Sequence, residues 1–357
     1  MNKPKALVVI TPGFPKNEDD TTCLPPIQIA LKAFQQADPS LTIIVLSLRY
    51  PFSSETYQWN GITVISFGGG NKSKLFRAYT FIQTWVRFKK LHQEFNIVGL
   101  LSLWLDRSAF IANLLAKRYR IQHFCWLQGQ DAKKGNKFVK LIKPKGLSLI
   151  AISDFIADEF YSNYQIMPKH IIPIGINTNR FTNELNERDI DILGVGSLIP
   201  LKQYDLFLAV IKQLVVDFPT IRACICGAGP EMNKLEKLIK EWNLSANVSL
   251  SDELPHSEVL QLMAKSKILL HTSNYEGFGM VNLEALYAGA KVISFVKPMH
   301  QEIENWFHVN SSDEMVTMIK ATLSNPDYTY KRIMPFSVST TATAILQLYA
   351  YKANAIS

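Results

Sequence analysis

The residues best suited to chemistry stand in one short segment, Glu276-Gly277-Phe278-Gly279-Met280-Val281-Asn282-Leu283-Glu284. A strand-like apolar run begins at Ile268 ahead of it, and a helical stretch continues beyond it through Ala288, so the order reads strand, turn, helix. Two glycines around Phe278 let the backbone turn sharply and bring its amide groups close to a ligand at a helix N-terminus, an arrangement that suits a phosphate or diphosphate. Glu276 and Glu284, eight positions apart, bracket the turn. A carboxylate beside a diphosphate is repelled by it. The two acids therefore make better sense as hydroxyl acceptors, one for a sugar and one for a ribose diol, as acidic residues do in dinucleotide folds. As solvated charges on the first turns of a helix they would equally suit its macrodipole, and that reading stays open.

Other patterns point away from competing chemistries. Gly194-Val195-Gly196 and Gly227-Ala228-Gly229 each follow a strand-like run, but Ile199 and Met232 stand where a third glycine would complete a dinucleotide fingerprint, which argues against hydride transfer. Asp189-Ile190-Asp191 has the form of a metal-binding pair but falls at a strand start, and no metal is inferred. The 7 histidines form no metal-like cluster; His256 and His271 are of interest only through their nearness to the expected nucleotide cleft. The 4 cysteines have no zinc spacing and read as small buried residues in a reducing compartment. The apolar run 6–10 is strand length, too short for a secretory segment or a membrane span, so the expected location is the cytoplasm.

These groups need elements to position them. At 357 residues, 47% hydrophobic and 19% charged, the chain is expected to pack as two domains. Strands are expected over 6–10, 41–48, 62–67, 97–103, 123–127 and 147–152, alternating with helices over 25–37, 73–95, 108–117 and 154–163. The second half repeats the theme, with strands over 190–194, 221–226, 248–250, 268–271 and 291–296, helices over 204–217, 230–242, 257–264 and 279–287, and further helices beyond 296. Alternation of this kind implies mostly parallel sheets. Two doubly wound domains joined by a hinge near 173–188, with a ligand cleft between them and a last helix over 337–352, are the natural reading.

The net charge of +8 lies in the first half, and residues 176–357 are slightly acidic. The expected helix 73–95 combines Lys74, Arg77, Arg87, Lys89 and Lys90 with Phe76, Tyr79, Trp85 and Phe88, and a basic run follows over 133–145. Solvated lysines around a core-facing aromatic stripe would give this pattern. Docking to an anionic membrane surface would also use it. No nucleic-acid module accompanies the charge, and nucleic acid is not an expected partner.

The string Ser273-Asn274-Tyr275 followed by Glu276 to Gly289 resembles the signature of family-4 glycosyltransferases (glycosyl transferases group 1), retaining enzymes of the GT-B fold. Supporting resemblances are Gly194 to Lys202, Gly227-Ala228-Gly229-Pro230, and Pro173 to Phe181, which is similar to the family's interdomain segment; all occur in the family's order. The resemblance implies an α/β chain of two Rossmann-like doubly wound domains facing a cleft. Residues 1–178, joined by the C-terminal helix 338–357, would bind the acceptor, and residues 179–337 the nucleotide sugar.

By the same resemblance Glu276 and Lys202 would be catalytic, Glu276 on the transferred sugar and Lys202 on the leaving diphosphate. Gly196, Ser197, Lys202, Gly277, Phe278, Gly279, Met280 and Val281 would line the donor, with Glu284 on the ribose. Gly13, Gln128 and Asp131 would stand on the acceptor side. The chain departs from the family in having Ser197 for an arginine, Gln128 for a histidine and a first glycine loop reduced to Gly13. The implied activity is metal-independent, retaining sugar transfer from a nucleotide-diphosphate sugar to a glycan or lipid-linked acceptor in surface polysaccharide biosynthesis. No cofactor is implied, and the implied location is the cytoplasm, including the inner face of the membrane. A sugar-nucleotide epimerase or phosphorylase of the same fold, or a catalytically degenerate sugar-nucleotide-binding subunit, are the alternatives.

Overall fold

The computed structural model describes residues 3–70, 73–181, 187–325 and 329–350. Part of the expected hinge and the end of the expected last helix lie outside them. The chain divides into two compact units, with the boundaries after Gly175 and after Ser337.

The first unit is laid down as β1 (Lys5–Gly13), α1 (Pro25–Ala37), β2 (Thr42–Tyr50), β3 (Thr56–Trp59), β4 (Ile62–Ser66), α2 (Lys74–Glu94), β5 (Asn96–Leu103), α3 (Arg107–Tyr119), β6 (His123–Leu127), α4 (Lys137–Ile142), β7 (Leu149–Ala151), α5 (Asp154–Tyr164) and β8 (His170–Ile171). Its sheet runs β3-β4-β2-β1-β5-β6-β7-β8, parallel except for the β3–β4 pair. β1 is an unbroken apolar run because both of its faces are covered, as central parallel strands require. Helix starts are marked in the sequence. Pro25 and Pro26 open α1, and Ser73, Asp106 and Ser153 accept backbone amides at the starts of α2, α3 and α5.

The second unit continues with β9 (Ile190–Val195), α6 (Tyr204–Leu214), β10 (Ala223–Cys226), α7 (Met232–Glu241), β11 (Val248–Ser251), α8 (His256–Ala264), β12 (Ser266–His271), α9 (Met280–Tyr287), β13 (Lys291–Ser294), β14 (Trp306–His308) and α10 (Ser312–Leu323). Its strand order, β11-β10-β9-β12-β13-β14, is wholly parallel. Two parallel-sheet Rossmann-like units are thus present, each with its own buried cluster.

The structure adds β3, β8, β14 and α4 to the expected elements. β3 pairs back onto β4 through Asn60-Gly61, both at positive φ (47° and 79°), the turn that joins strands with least strain. β8 and β14 are only 2 and 3 residues long, too short for a periodic signal. α7 starts at Met232 rather than Pro230 because the preceding backbone is bonded elsewhere, the Glu231 amide donating to the Leu198 carbonyl.

The final helix, α11 (Val338–Ala350), packs on the first unit. Thr341 Oγ1 donates to the Pro173 carbonyl (2.7 Å) and accepts from the Gly175 amide (3.0 Å). Tyr349 lies across β5 with its hydroxyl on the Leu100 carbonyl (2.8 Å) and its ring edge-on to Phe124. A Cβ at Gly99 would come within 2.1 Å of that ring, so glycine is what admits the tyrosine. Tyr349→Ala is expected to lower the stability of the first unit by roughly 3 kcal/mol, an aromatic truncation in a packed site. Urea unfolding followed by near-ultraviolet circular dichroism checks this.

Candidate functional site

In the second unit the strand order reverses at β9, which has β10 on one side and β12 on the other. Ligands in open α/β sheets bind beyond the carboxyl ends of strands at such a point. The loops leaving β9 and β10 pack backbone on backbone there. The Gly196 amide donates to the Cys226 carbonyl (3.0 Å), and the Leu198 amide donates to the Ala228 carbonyl (2.8 Å). A Cβ on Gly227 would lie 2.0 Å from the Gly196 carbonyl oxygen, and one on Gly229 2.4 Å from that of Leu198. The Gly227-Ala228-Gly229 pattern is therefore met first by loop packing. It leaves Ser197 exposed and leads into the short turn that ends at Lys202.

Lys202 is fixed from two directions. Its carbonyl accepts from Thr272 Oγ1 (2.8 Å), and its Nζ donates to Glu276 Oε2 (2.6 Å). This joins the β9 loop to the β12 loop and brings together the two residues named above as catalytic. Burial works to raise the Glu276 carboxyl, but the polar contact with His271 and the charge of Lys202 outweigh it and bring it from 4.5 to about 2. Glu276 is thus an anion at neutral pH. His271 is buried, which lowers its pKa, and its Nε2 stands 3.8 Å from Glu276 Oε2, beyond a formed hydrogen bond.

The turn after Glu276 is held by the Phe278 side chain, which is buried edge-on against Trp306 and Phe336. Gly279 follows at φ 86°, and α9 begins with Met280 and Val281, both half-buried. With Phe278 directed into the core and glycines on either side of it, the segment 277–281 brings its backbone to the helix N-terminus. Glu284, one turn on, accepts from His256 Nε2 (2.8 Å), while the other ring nitrogen of His256 lies 3.2 Å from the Arg180 guanidinium. Arg180 can only donate, so Nδ1 accepts and the proton sits on Nε2. The two glutamates thus have separate cationic or donor partners, Lys202 for one and His256 for the other.

Sequence reasoning gave no role to several residues here, noting His271 only for its nearness to the expected cleft. His271, Ser273 and Asn282 are buried, yet both His271 nitrogens, the Ser273 hydroxyl and both Asn282 amide atoms have no hydrogen-bond partner among the described residues. Buried polar atoms are nearly always paired, so three such side chains around one turn mark it out. Asn282 lies inside the quoted signature, and its polarity in an apolar helix face was the available signal. His256 was noted only for its nearness to the expected cleft, because its pairing with Glu284 spans 28 positions and no spacing reveals it.

The remaining candidates belong to the first unit. Gly13 ends β1 near Tyr50, where a Cβ would make only ordinary contact at 3.5 Å. Asp131 is buried, and its carboxylate accepts from the amides of Leu105 (2.9 Å), Gln128 (3.1 Å) and Gly129 (2.9 Å). It braces the turn that carries Gln128. Asp106, not foreseen, caps α3 beyond β5, and its burial pushes its carboxyl up to about 6 against the Ser108 hydrogen bonds. No group of acids, histidines and cysteines among the described residues has a metal-holding arrangement.

The Lys202–Glu276 pair gives stability a sign with pH. Since the folded Glu276 carboxyl is depressed, its contribution is present above 4.5 and is lost as pH falls through about 2. Lys202→Met is expected to shrink that acid-side loss, read as a smaller fall in the melting temperature between neutral pH and pH about 3.

Residues 175–333 match the family model of glycosyl transferases group 1. The chain is 28% identical over 164 residues to the phosphatidylinositol N-acetylglucosaminyltransferase gpi3 subunit of Schizosaccharomyces pombe, a match covering 44% of this chain and 36% of that protein. The first curated relatives are matched over about a quarter to a half of their own lengths. A glycosyltransferase from Rickettsia africae superposes with a TM-score of 0.71 at 16% identity, covering 100% of this chain and 98% of that one. The Anabaena protein HepE, solved in complex with UDP, superposes at 0.68 and 15% identity over 99% of each chain. The chain therefore has the GT-B glycosyltransferase fold, and its residues 175–333 match glycosyl transferases group 1.

Proposed function

We propose that the protein is a retaining, metal-independent glycosyltransferase of family 4, moving a sugar from a nucleoside diphosphate sugar to a glycan or lipid-linked acceptor in surface polysaccharide assembly. The observation that carries the reading is the 276–279 turn at the start of α9 with the Lys202 ammonium 2.6 Å from Glu276. Backbone amides at a helix start favour a diphosphate, and Lys202 adds the positive charge that a leaving diphosphate requires. Glu276, ionised throughout the neutral range, accepts a hydroxyl of the transferred sugar instead of donating a proton. Glu284, oriented by His256, takes the ribose hydroxyls. The unpaired atoms of His271, Ser273 and Asn282 add polar capacity beside the same turn.

In this reading Gly196, Ser197, Gly277, Phe278, Gly279, Met280 and Val281 complete the donor side. The bond from the anomeric carbon to the phosphate oxygen breaks as the acceptor oxygen bonds to that carbon on the same face, and the acceptor's proton passes to the leaving phosphate. The similarity to a relative named as an N-acetylglucosaminyltransferase, and to a structure solved with UDP, supports a UDP-sugar donor. Gly13 at the end of β1, and Gln128 with Asp131 on the turn that Asp131 braces, are assigned to the acceptor side. The basic first half would bring the enzyme to the inner face of a membrane, where a lipid-linked acceptor resides.

Glu276→Ala is expected to lower transfer by roughly a hundredfold, the order of effect for one group acting on the transition state, while a nucleoside diphosphate still raises the melting temperature. Glu284→Gln is expected to show the reverse pattern, with roughly tenfold weaker nucleotide binding. Transfer by Glu276→Ala at the wild-type rate defeats the assignment. Binding of sugar nucleotides by the wild type with no transfer to any acceptor favours the binding-subunit alternative raised by Ser197.

A further inference from the structure

Helix α2 has two apolar faces. One is accounted for: Phe88 and Leu91 are buried, with Phe81 and Trp85 packed alongside, in the cluster that includes β1, β2 and β5 residues. The other is not. Tyr79, Ile82 and Val86 recur at helical spacing and are 51%, 58% and 52% exposed, and Phe52, on the loop beside the helix start, is 58% exposed. Among the described residues only seven large apolar side chains are more than half exposed, and these are four of them. Contiguous patches of this kind mark interaction sites.

Beside the stripe, α2 and the β3–β4 hairpin enclose an open groove of about 550 Å³, floored by Ile65 and Phe67 and edged by Ile82 and Val86. Arg87, whose guanidinium donates to Thr56 Oγ1 (2.7 Å), and Lys90 line its rim. The stripe itself runs on into Lys89 and Lys90, both exposed. The groove lining holds one carboxylate, Glu55, and α2 holds one, Glu94.

We infer that this face of α2 docks the protein on an anionic phospholipid bilayer, with Phe52, Tyr79, Ile82 and Val86 entering the interface and Arg87, Lys89 and Lys90 meeting lipid phosphates. The choice of partner follows from charge. An apolar stripe flanked by bases is the pattern of a helix lying in a membrane interface. A second copy of the chain would set the same cations against each other. The inference deepens the proposed reading, in which the acceptor is lipid-linked, by naming the surface that meets the membrane. It stands apart from the sugar-nucleotide residues, all of which lie in the second unit.

The test is flotation of the full chain with vesicles of phosphatidylcholine alone and of phosphatidylcholine mixed with phosphatidylglycerol. The wild type floats with the mixed vesicles and much less with the neutral ones. Lys89→Gln combined with Lys90→Gln weakens binding roughly thirtyfold, from about 1 kcal/mol per basic residue near the surface. Ile82→Asp with Val86→Asp, changes at exposed positions, abolishes flotation while the melting temperature holds. The inference is overturned if the wild type does not float with anionic vesicles, or if the aspartate variant floats as well as the wild type. It is also overturned if the wild type is a dimer that the aspartate variant dissolves. The thermal shift with nucleoside diphosphate is read on each sample. A wild type that shows that shift but does not float with anionic vesicles faults this inference alone, and absence of the shift in the wild type faults the donor-site reading.

Discussion

The second unit depends on two loops lying backbone against backbone. Because Gly227 and Gly229 carry no side chain, the loop leaving β10 can close onto the loop leaving β9 at distances that any Cβ would block. That contact sets the path from Gly196 to Lys202, and Thr272 then fixes the Lys202 carbonyl to the end of β12. Only after both constraints does the Lys202 ammonium meet the Glu276 carboxylate. A side chain that is part of a hydrogen-bonded chain of backbone contacts is preorganised, and preorganised charge is what electrostatic catalysis uses.

The core of this arrangement was legible in the sequence, for reasons that differ from residue to residue. The order strand, turn, helix around Glu276 could be read because the apolar run before it and the helical spacing after it are long enough to carry a period. The pairing of Lys202 with Glu276 spans 74 positions, and no spacing rule reaches that far. What made Lys202 visible was resemblance, and what made its partner visible was the structure. The glycines of Gly227-Ala228-Gly229 were read as an incomplete dinucleotide pattern and, with Pro230, as part of the family resemblance, and their occupation with loop packing is a tertiary fact. His256 shows the same limit, since a lone histidine in sequence has no partner until α8 and α9 are placed.

The fold was more legible than the edges of its sheets. Long strands such as β2 and β5 are close to their expected bounds because buried parallel strands are continuous apolar runs, whereas β1 continues past its apolar run through Thr11 to Gly13. Short edge strands lack that signal. β3 is the instructive case, because Asn60-Gly61 announces a hairpin even though Thr56 to Trp59 alternates too briefly to be read as a strand. For α2, the sequence supplied aromatic and basic residues together but not their distribution. Phe88 turns inward and Val86 outward, a distinction that depends on which side of the helix the sheet covers.

The central claim is that the turn at 277–281 is a diphosphate cradle. Amide hydrogen exchange, measured with and without a saturating nucleoside diphosphate such as UDP, reads that turn directly. The account predicts slower exchange at Gly277, Phe278, Gly279, Met280 and Val281, with little change at the 128–131 turn of the first unit. Unchanged exchange at 277–281 while the nucleotide is bound and another segment gains protection would contradict it.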